Sequence, residues 1–168
     1  MRQTHRDAEF QRFYEAEAMR LARFALLLCG DRDRAADLVQ EAMLRAYRSW
    51  GRIEGDDPAP YVRRVVVNLV RNDFRKKRAD RERAVPAEQA VPSHAQGVED
   101  ALFVTQALCS LSPIRRAVLV LRFYEDLSEA EVARVLDRPV GTVKSDIHRS
   151  LKRLRAIVEA ATEVAKEA

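Results

Sequence analysis

Residues 127–154, LSEAEVARVLDRPVGTVKSDIHRSLKRL, constrain the fold more than any other stretch of this chain. Ser128 stands three residues before Glu131, the spacing of a capping box in which each side chain satisfies an orphan backbone donor. Val132, Val135 and Leu136 follow at helical steps, so a short amphipathic helix is predicted to start at Ser128. Ala133 is small where a compact helix pair needs a small residue. Asp137 comes four positions later, where the chain must turn, and aspartate tolerates the left-handed conformation better than most residues. Pro139 cannot continue the first helix but suits the opening of a second. The apolar positions Val140, Val143, Ile147, Leu151 and Leu154 predict that helix's inner stripe, and Thr142, Lys144, Ser145, His148, Arg149, Lys152 and Arg153 its opposite face. Residues 139–155 hold five Lys or Arg against one acid, Asp146. A solvated helix of an all-α bundle would explain the basic face, but not its coincidence with the cap, the small residue and the turn. The pattern predicts a helix-turn-helix with a phosphate backbone as its partner.

With 168 residues, 47% of them hydrophobic, the chain is long enough for one medium domain or two small ones and can bury a core. Its longest apolar run, residues 24–29, is far too short to cross a bilayer, and its first residues lack a signal-like apolar region. A cytoplasmic protein without membrane insertion is therefore expected. Cys29 and Cys109 fall on predicted helical faces without CxxC or Cys/His spacing, which predicts buried thiols and no metal site. His5, His94 and His148 are dispersed, and no nucleophile, base and orienter can be assembled from spacing, so neither an enzyme nor a cofactor is expected. Residues 141–145, GTVKS, are a poor phosphate loop, lacking the first glycine and the preceding strand. The net charge of +4 is modest, and the useful information is where the bases collect.

A first helix is predicted from about Ala8 to Cys29, with Phe10, Phe13, Tyr14, Leu21, Phe24, Ala25 and Leu28 on one side and Gly30 ending it. A second covers residues 31–49, turning Leu38, Val39, Ala42, Ala46, Tyr47 and then Trp50 inward against the first. After a polar break at 51–57, Asp57 and Pro58 read as a cap and first turn, and Tyr61, Val62, Val65, Val66 and Leu69 as the buried face of a third helix. Residues 58–83 carry nine bases against three acids, more than a helix end needs to complement its dipole. Residues 84–97, with Pro86, Pro92, Ser93 and Gly97, read as a flexible linker between two bundles. A helix is then predicted over 98–111, and another from Ser112 and Pro113 through Tyr124, leading into the helix-turn-helix.

In this order the chain resembles the extracytoplasmic-function group of bacterial sigma factors, within the sigma-70 family, which keeps only the second and fourth conserved sigma regions. Asp37-Leu38-Val39-Gln40-Glu41 resembles the D-L-[IV]-Q-E signature of the helix that docks on RNA polymerase. Leu127-Ser128 through Ser145 resembles the region-four segment that reads the upstream promoter element. The resemblance implies an all-α fold of two small helical bundles: region 2 over 1–83, a linker over 84–97 and region 4, the helix-turn-helix domain, over 98–168.

It also implies a role for each motif. Asp37, Gln40 and Glu41, at i, i+3 and i+4, share one face and would pair with basic residues of core RNA polymerase. The downstream-element reader maps onto residues 61–78, where Asn68 matches a recurrent asparagine. Asn68 and Asn72, one turn apart, offer amide groups to unpaired bases, with Arg63, Arg64, Arg71 and Arg75 on the backbone and Tyr61 able to stack. Thr142, Lys144, Ser145, His148, Arg149 and Lys152 would read upstream promoter DNA. Two positions depart from the pattern: Asp137 replaces the usual turn glycine, and Asp146 stands where a base is common. An acid there repels phosphate but accepts from a cytosine amino group, so Asp146 is expected to read a base. An anti-sigma protein is an implied further partner. The rival reading is a stand-alone helix-turn-helix regulator that binds duplex operators unaided, with no need of the Asp37–Glu41 face.

Overall fold

The computed structural model describes residues 2–53, 57–83 and 99–167, and these residues are helical with short turns. The chain divides into two compact units, residues 1–94 and 95–168. The predicted linker, 84–97, lies outside the described residues.

In the first unit α1 (Arg2–Cys29), α2 (Arg32–Ser49) and α3 (Ala59–Arg83) pack pairwise into a three-helix bundle. Gly30 ends α1 with φ 76°, a left-handed conformation that costs glycine nothing. Asp31 then caps α2, accepting from the Arg34 backbone N–H at 2.8 Å. The core is built from Leu21, Phe24, Ala25 and Leu28 of α1, Leu38, Val39, Ala42, Met43 and Ala46 of α2, and Val62, Val66, Val67 and Val70 of α3. α1 begins six residues before its predicted start. Tertiary contacts recruit that polar turn: the Tyr47 hydroxyl donates to Asp7 Oδ1 at 2.8 Å, and the Arg6 guanidinium sits 5.2 Å from the Tyr47 ring centroid. Trp50, predicted in the core, is only half-buried. It meets Phe10 edge-on at 5.1 Å and Phe13 at 5.2 Å, and also lines an open cleft of about 750 Å³ with Arg6 and Arg12.

The inner face of α3 is rotated from the predicted one. Val67 and Val70 are buried with Val62 and Val66, whereas Tyr61, Val65 and Leu69 are half-buried. The run Val65–Val66–Val67 is apolar all round, so periodicity does not fix its phase; packing against both α1 and α2 does.

The second unit comprises α4 (Glu99–Cys109), α5 (Pro113–Leu119), α6 (Glu129–Leu136) and α7 (Val140–Glu167). Buried Arg116 closes the end of α4, its guanidinium donating to the carbonyls of Leu108 (2.9 Å), Cys109 (3.0 Å) and Leu111 (3.2 Å), the first of which also accepts from the Leu111 N–H. Cys109 is exposed, not buried as predicted, because Leu111 in the following turn fills the core instead. The helix predicted through Tyr124 is regular only to Leu119. Residues 120–124 form a π-helical turn in which the Glu125 N–H reaches back to the Val120 carbonyl, turning Val118, Leu119, Val120 and Leu121 all into the core.

Candidate nucleic-acid interface

The helix-turn-helix closes as its sequence predicts. The Glu131 N–H donates to Ser128 Oγ at 3.3 Å and the Ser128 N–H to Glu131 Oε2 at 2.8 Å, completing the capping box. The Ser128 hydroxyl, which also donates to Glu131 Oε2 at 2.6 Å, and the Ser128 backbone N–H together hold the Glu131 carboxyl below its usual range. Val132, Ala133, Val135 and Leu136 are buried. Asp137 adopts φ 53°, ψ 57°, and the Arg138 N–H bonds to the Ala133 carbonyl at 3.0 Å while that of Asp137 bonds to Arg134, the Schellman arrangement usually built on glycine.

On α7, Lys144, Ser145, His148, Arg149 and Lys152 are exposed, as are Arg153 and Arg155, and Thr142 is half-buried. The Ser145 hydroxyl donates to the Gly141 carbonyl at 3.0 Å within its own helix. Lys144 Nζ lies 3.6 Å from Glu129. Asp146 is not on this face: it is buried, between Arg115 and Arg138. The inner stripe runs through Val143, Asp146 and Ser150, leaving Val140 and Leu151 exposed against expectation.

On α3, Arg64, Asn68, Arg71, Asn72 and Arg75 are exposed at steps of four, three, one and three, and so share one face with half-buried Tyr61 at its edge. Arg63 belongs to the opposite side and is only 5% exposed, so it does not join the cluster into which the sequence placed it. Asp73 leans toward α2, accepting both Arg34 guanidinium bonds, with Lys77 3.5 Å away. Burial raises the Asp73 carboxyl, but the hydrogen bond and charge of Arg34, helped by Lys77, outweigh it and hold the group below its usual range. The bond to Asp73 in turn holds Arg34 above its own.

On α2, Asp37 and Gln40 are exposed and Glu41 is half-buried, all three on one side of the helix. Arg45 donates to Glu41 Oε1 at 2.7 Å, and Arg34 lies 4.0 Å from Asp37. Leu44, exposed one turn beyond Gln40 and Glu41, extends this face with an apolar side chain. Sequence reasoning passed over it, although its i+3 and i+4 spacing from those residues was the available signal. Among the described residues, no His, Cys, Asp and Glu group could hold a metal ion, and no helix is long and apolar enough to cross a membrane.

Comparison with known proteins assigns the two units. Sigma-70 region 2 matches residues 13–80 and sigma-70 region 4 matches residues 104–154. The chain is 36% identical over 156 residues to the RNA polymerase sigma-E factor of Streptomyces coelicolor, covering 88% of this chain and 84% of that protein. It is 32% identical over 154 residues to the ECF RNA polymerase sigma factor SigL of Mycobacterium tuberculosis, covering 87% of this chain and 86% of SigL. Its fold is similar to that of the sigma factor RpoE solved in complex with the anti-sigma factor NepR from Bartonella quintana, with TM-score 0.77 and 24% identity over 90% of this chain and 97% of that one. The chain thus belongs to the extracytoplasmic-function group of the sigma-70 family, the sigma factors that direct transcription initiation.

Proposed function

We propose that the three exposed faces divide the work of promoter selection, in the cytoplasm, with residues 1–83, 84–97 and 98–168 as docking-and-melting domain, tether and upstream reader. The observation that carries this reading is the exposed basic face of α7 behind a completed capping box and turn. Lys144, His148, Arg149 and Lys152 supply donors and charge for phosphates and base edges in the major groove, with Thr142 and Ser145 as short polar neighbours. Along α3, Asn68 and Asn72 hydrogen-bond to unpaired bases of the downstream element, Arg64, Arg71 and Arg75 hold the strand's phosphates, and Tyr61 offers a ring for stacking. Arg63, being buried, is left out of this set.

Asp37, Gln40 and Glu41, joined by Leu44, present core polymerase with acceptors around one apolar contact, a composition suited to a basic, partly apolar partner. The reading assigns no covalent chemistry to this chain; its residues bind, orient and hold DNA open for the polymerase. An anti-sigma protein is its expected repressor, as the bound partner of the structurally similar RpoE supports.

Run-off transcription with purified core polymerase and a promoter library tests this. Wild type should start at defined sites. The double variant Asp37→Arg, Glu41→Arg should lose about 30-fold or more of that activity, since reversing two interface charges costs several kcal/mol. Silence of the wild-type mixture, while the protein alone shifts duplex DNA, would make the chain a stand-alone regulator instead.

A further inference from the structure

The apolar pattern of α7 and its actual orientation disagree. Val140, Val143, Ile147, Leu151 and Leu154 define one rotation about the helix axis. The buried positions Val143, Asp146 and Ser150 define another, roughly 60° away on a wheel of about 100° per residue. Hydrophobic burial alone would not choose the second rotation, because it leaves Val140 and Leu151 in water and turns a carboxylate and a hydroxyl inward.

What the observed rotation gains is a place for Asp146. Its side chain is 9% exposed, with Oδ1 3.5 Å from Arg115 Nε and Oδ2 3.6 Å from Arg138 Nη1. Arg115 belongs to the first turns of α5 and Arg138 to the α6–α7 turn, so one carboxylate ties the basic helix to the helix beneath it and to the turn before it. Both arginines keep part of their surface, 42% and 32%, in solvent, whereas the carboxylate does not. Lys144, Ser145 and His148 lie within two residues of Asp146, so any roll of α7 that releases the carboxylate moves their side chains away from the outward direction.

From this geometry we infer that Asp146 is a positioning residue: its pairing with Arg115 and Arg138 sets the rotation of α7 and thereby selects which side chains face DNA. The inference rests on α7 being the DNA-reading helix. It replaces direct base reading by Asp146, for which the carboxylate would have to leave both arginines.

The test compares holoenzymes, core polymerase with the full chain, on a promoter fragment selected from a random duplex library and on an unrelated duplex of equal length. Asp146→Asn should weaken binding to the selected fragment about tenfold while binding to the unrelated duplex holds or rises, because a negative charge near phosphate has been removed. Asp146→Glu should restore much of the loss. Combining Asp146→Asn with Arg115→Gln and Arg138→Gln should cost no more than the larger of the separate losses, the signature of a shared interaction. A parallel fall on both duplexes would reduce Asp146 to a support of the fold and overturn the inference, as would unchanged binding on both. A loss cured by changing a single base pair would make it a base reader. Arg149→Ala with Lys152→Ala, in the same assay, separates the two readings. If that pair leaves promoter affinity intact, α7 is not the reader and both fail; if it abolishes affinity while Asp146→Asn changes nothing, only the positioning role fails.

Discussion

Among their described side chains the two basic helices, α3 and α7, each hide one charged residue on the inner side and keep the remaining cations outward, yet they reach this arrangement differently. α3 has a surplus of apolar residues. Valines 62, 65, 66, 67 and 70 with Leu69 cover more than half its circumference, and the two neighbouring helices decide which of them are buried. α7 has an apolar stripe in phase, yet Asp146 and Ser150 occupy its inner side while Val140 and Leu151 stay exposed, so charge does part of the orienting. In α3 the comparable acid, Asp73, lies at the boundary and pairs with Arg34 beside a core that already fixes the helix. An acid within a basic helix thus means different things: a trim on a well-packed helix in one unit, a determinant of rotation in the other.

The sharpest test of this contrast is functional. Asn68→Ala with Asn72→Ala should reduce open-complex formation by about tenfold with little change in salt dependence, since it removes neutral base contacts. Arg149→Ala with Lys152→Ala should weaken upstream duplex binding and lower the slope of log affinity against log salt by about two, one for each phosphate contact. Footprinting and filter binding across a salt series read both effects. Equal salt slopes for the two pairs would dissolve the division between single-strand and duplex reader.

A smaller effect concerns the boundary pair. Asp73→Asn should cost about 1 kcal/mol at neutral pH, discounted for its partial exposure. Because the Asp73 carboxyl titrates lower in the folded state than in the unfolded one, its contribution is complete above the ordinary carboxylate range and is lost as pH falls through the folded value. Urea denaturation of the two proteins should therefore differ at neutral pH and converge in acid. A gap that persists in acid would mean that Asp73 acts through packing.

A last contrast, of similar or smaller size, is between two helix ends. Gly30 and Asp137 both hold left-handed backbone, at φ 76° and 53°. Gly30→Ala should destabilise the protein by about 1 kcal/mol, and Asp137→Gly should stabilise it by a few tenths of that; thermal melts check both signs. Stabilisation by Gly30→Ala would break the parallel.

Much of the architecture follows from local chemistry and was legible without coordinates. Gly30 followed by Asp31, Ser128 paired with Glu131, and Asp137 before Pro139 mark boundaries that the structure reproduces, because caps and turns depend on residues only a few positions apart. The outward placement of Lys144, His148, Arg149 and Lys152, and of Asp37 and Gln40, was equally readable, since long charged side chains stay in water whenever a helix has an apolar alternative to bury. Helix phase was not readable. Arg63 turns out to face the interior, and whether Asp146 faces a base or Arg115 and Arg138 depends on side chains contributed by another helix and a turn, with Arg115 lying 31 positions from its partner Asp146. Local signals in the chain place most helix ends and the division into two helical units, although α1 starts earlier and α5 ends earlier than the pattern predicts. How each helix is rotated was settled by packing in three dimensions, because a buried carboxylate such as Asp146 is tolerated where residues distant in the chain arrive to pair with it.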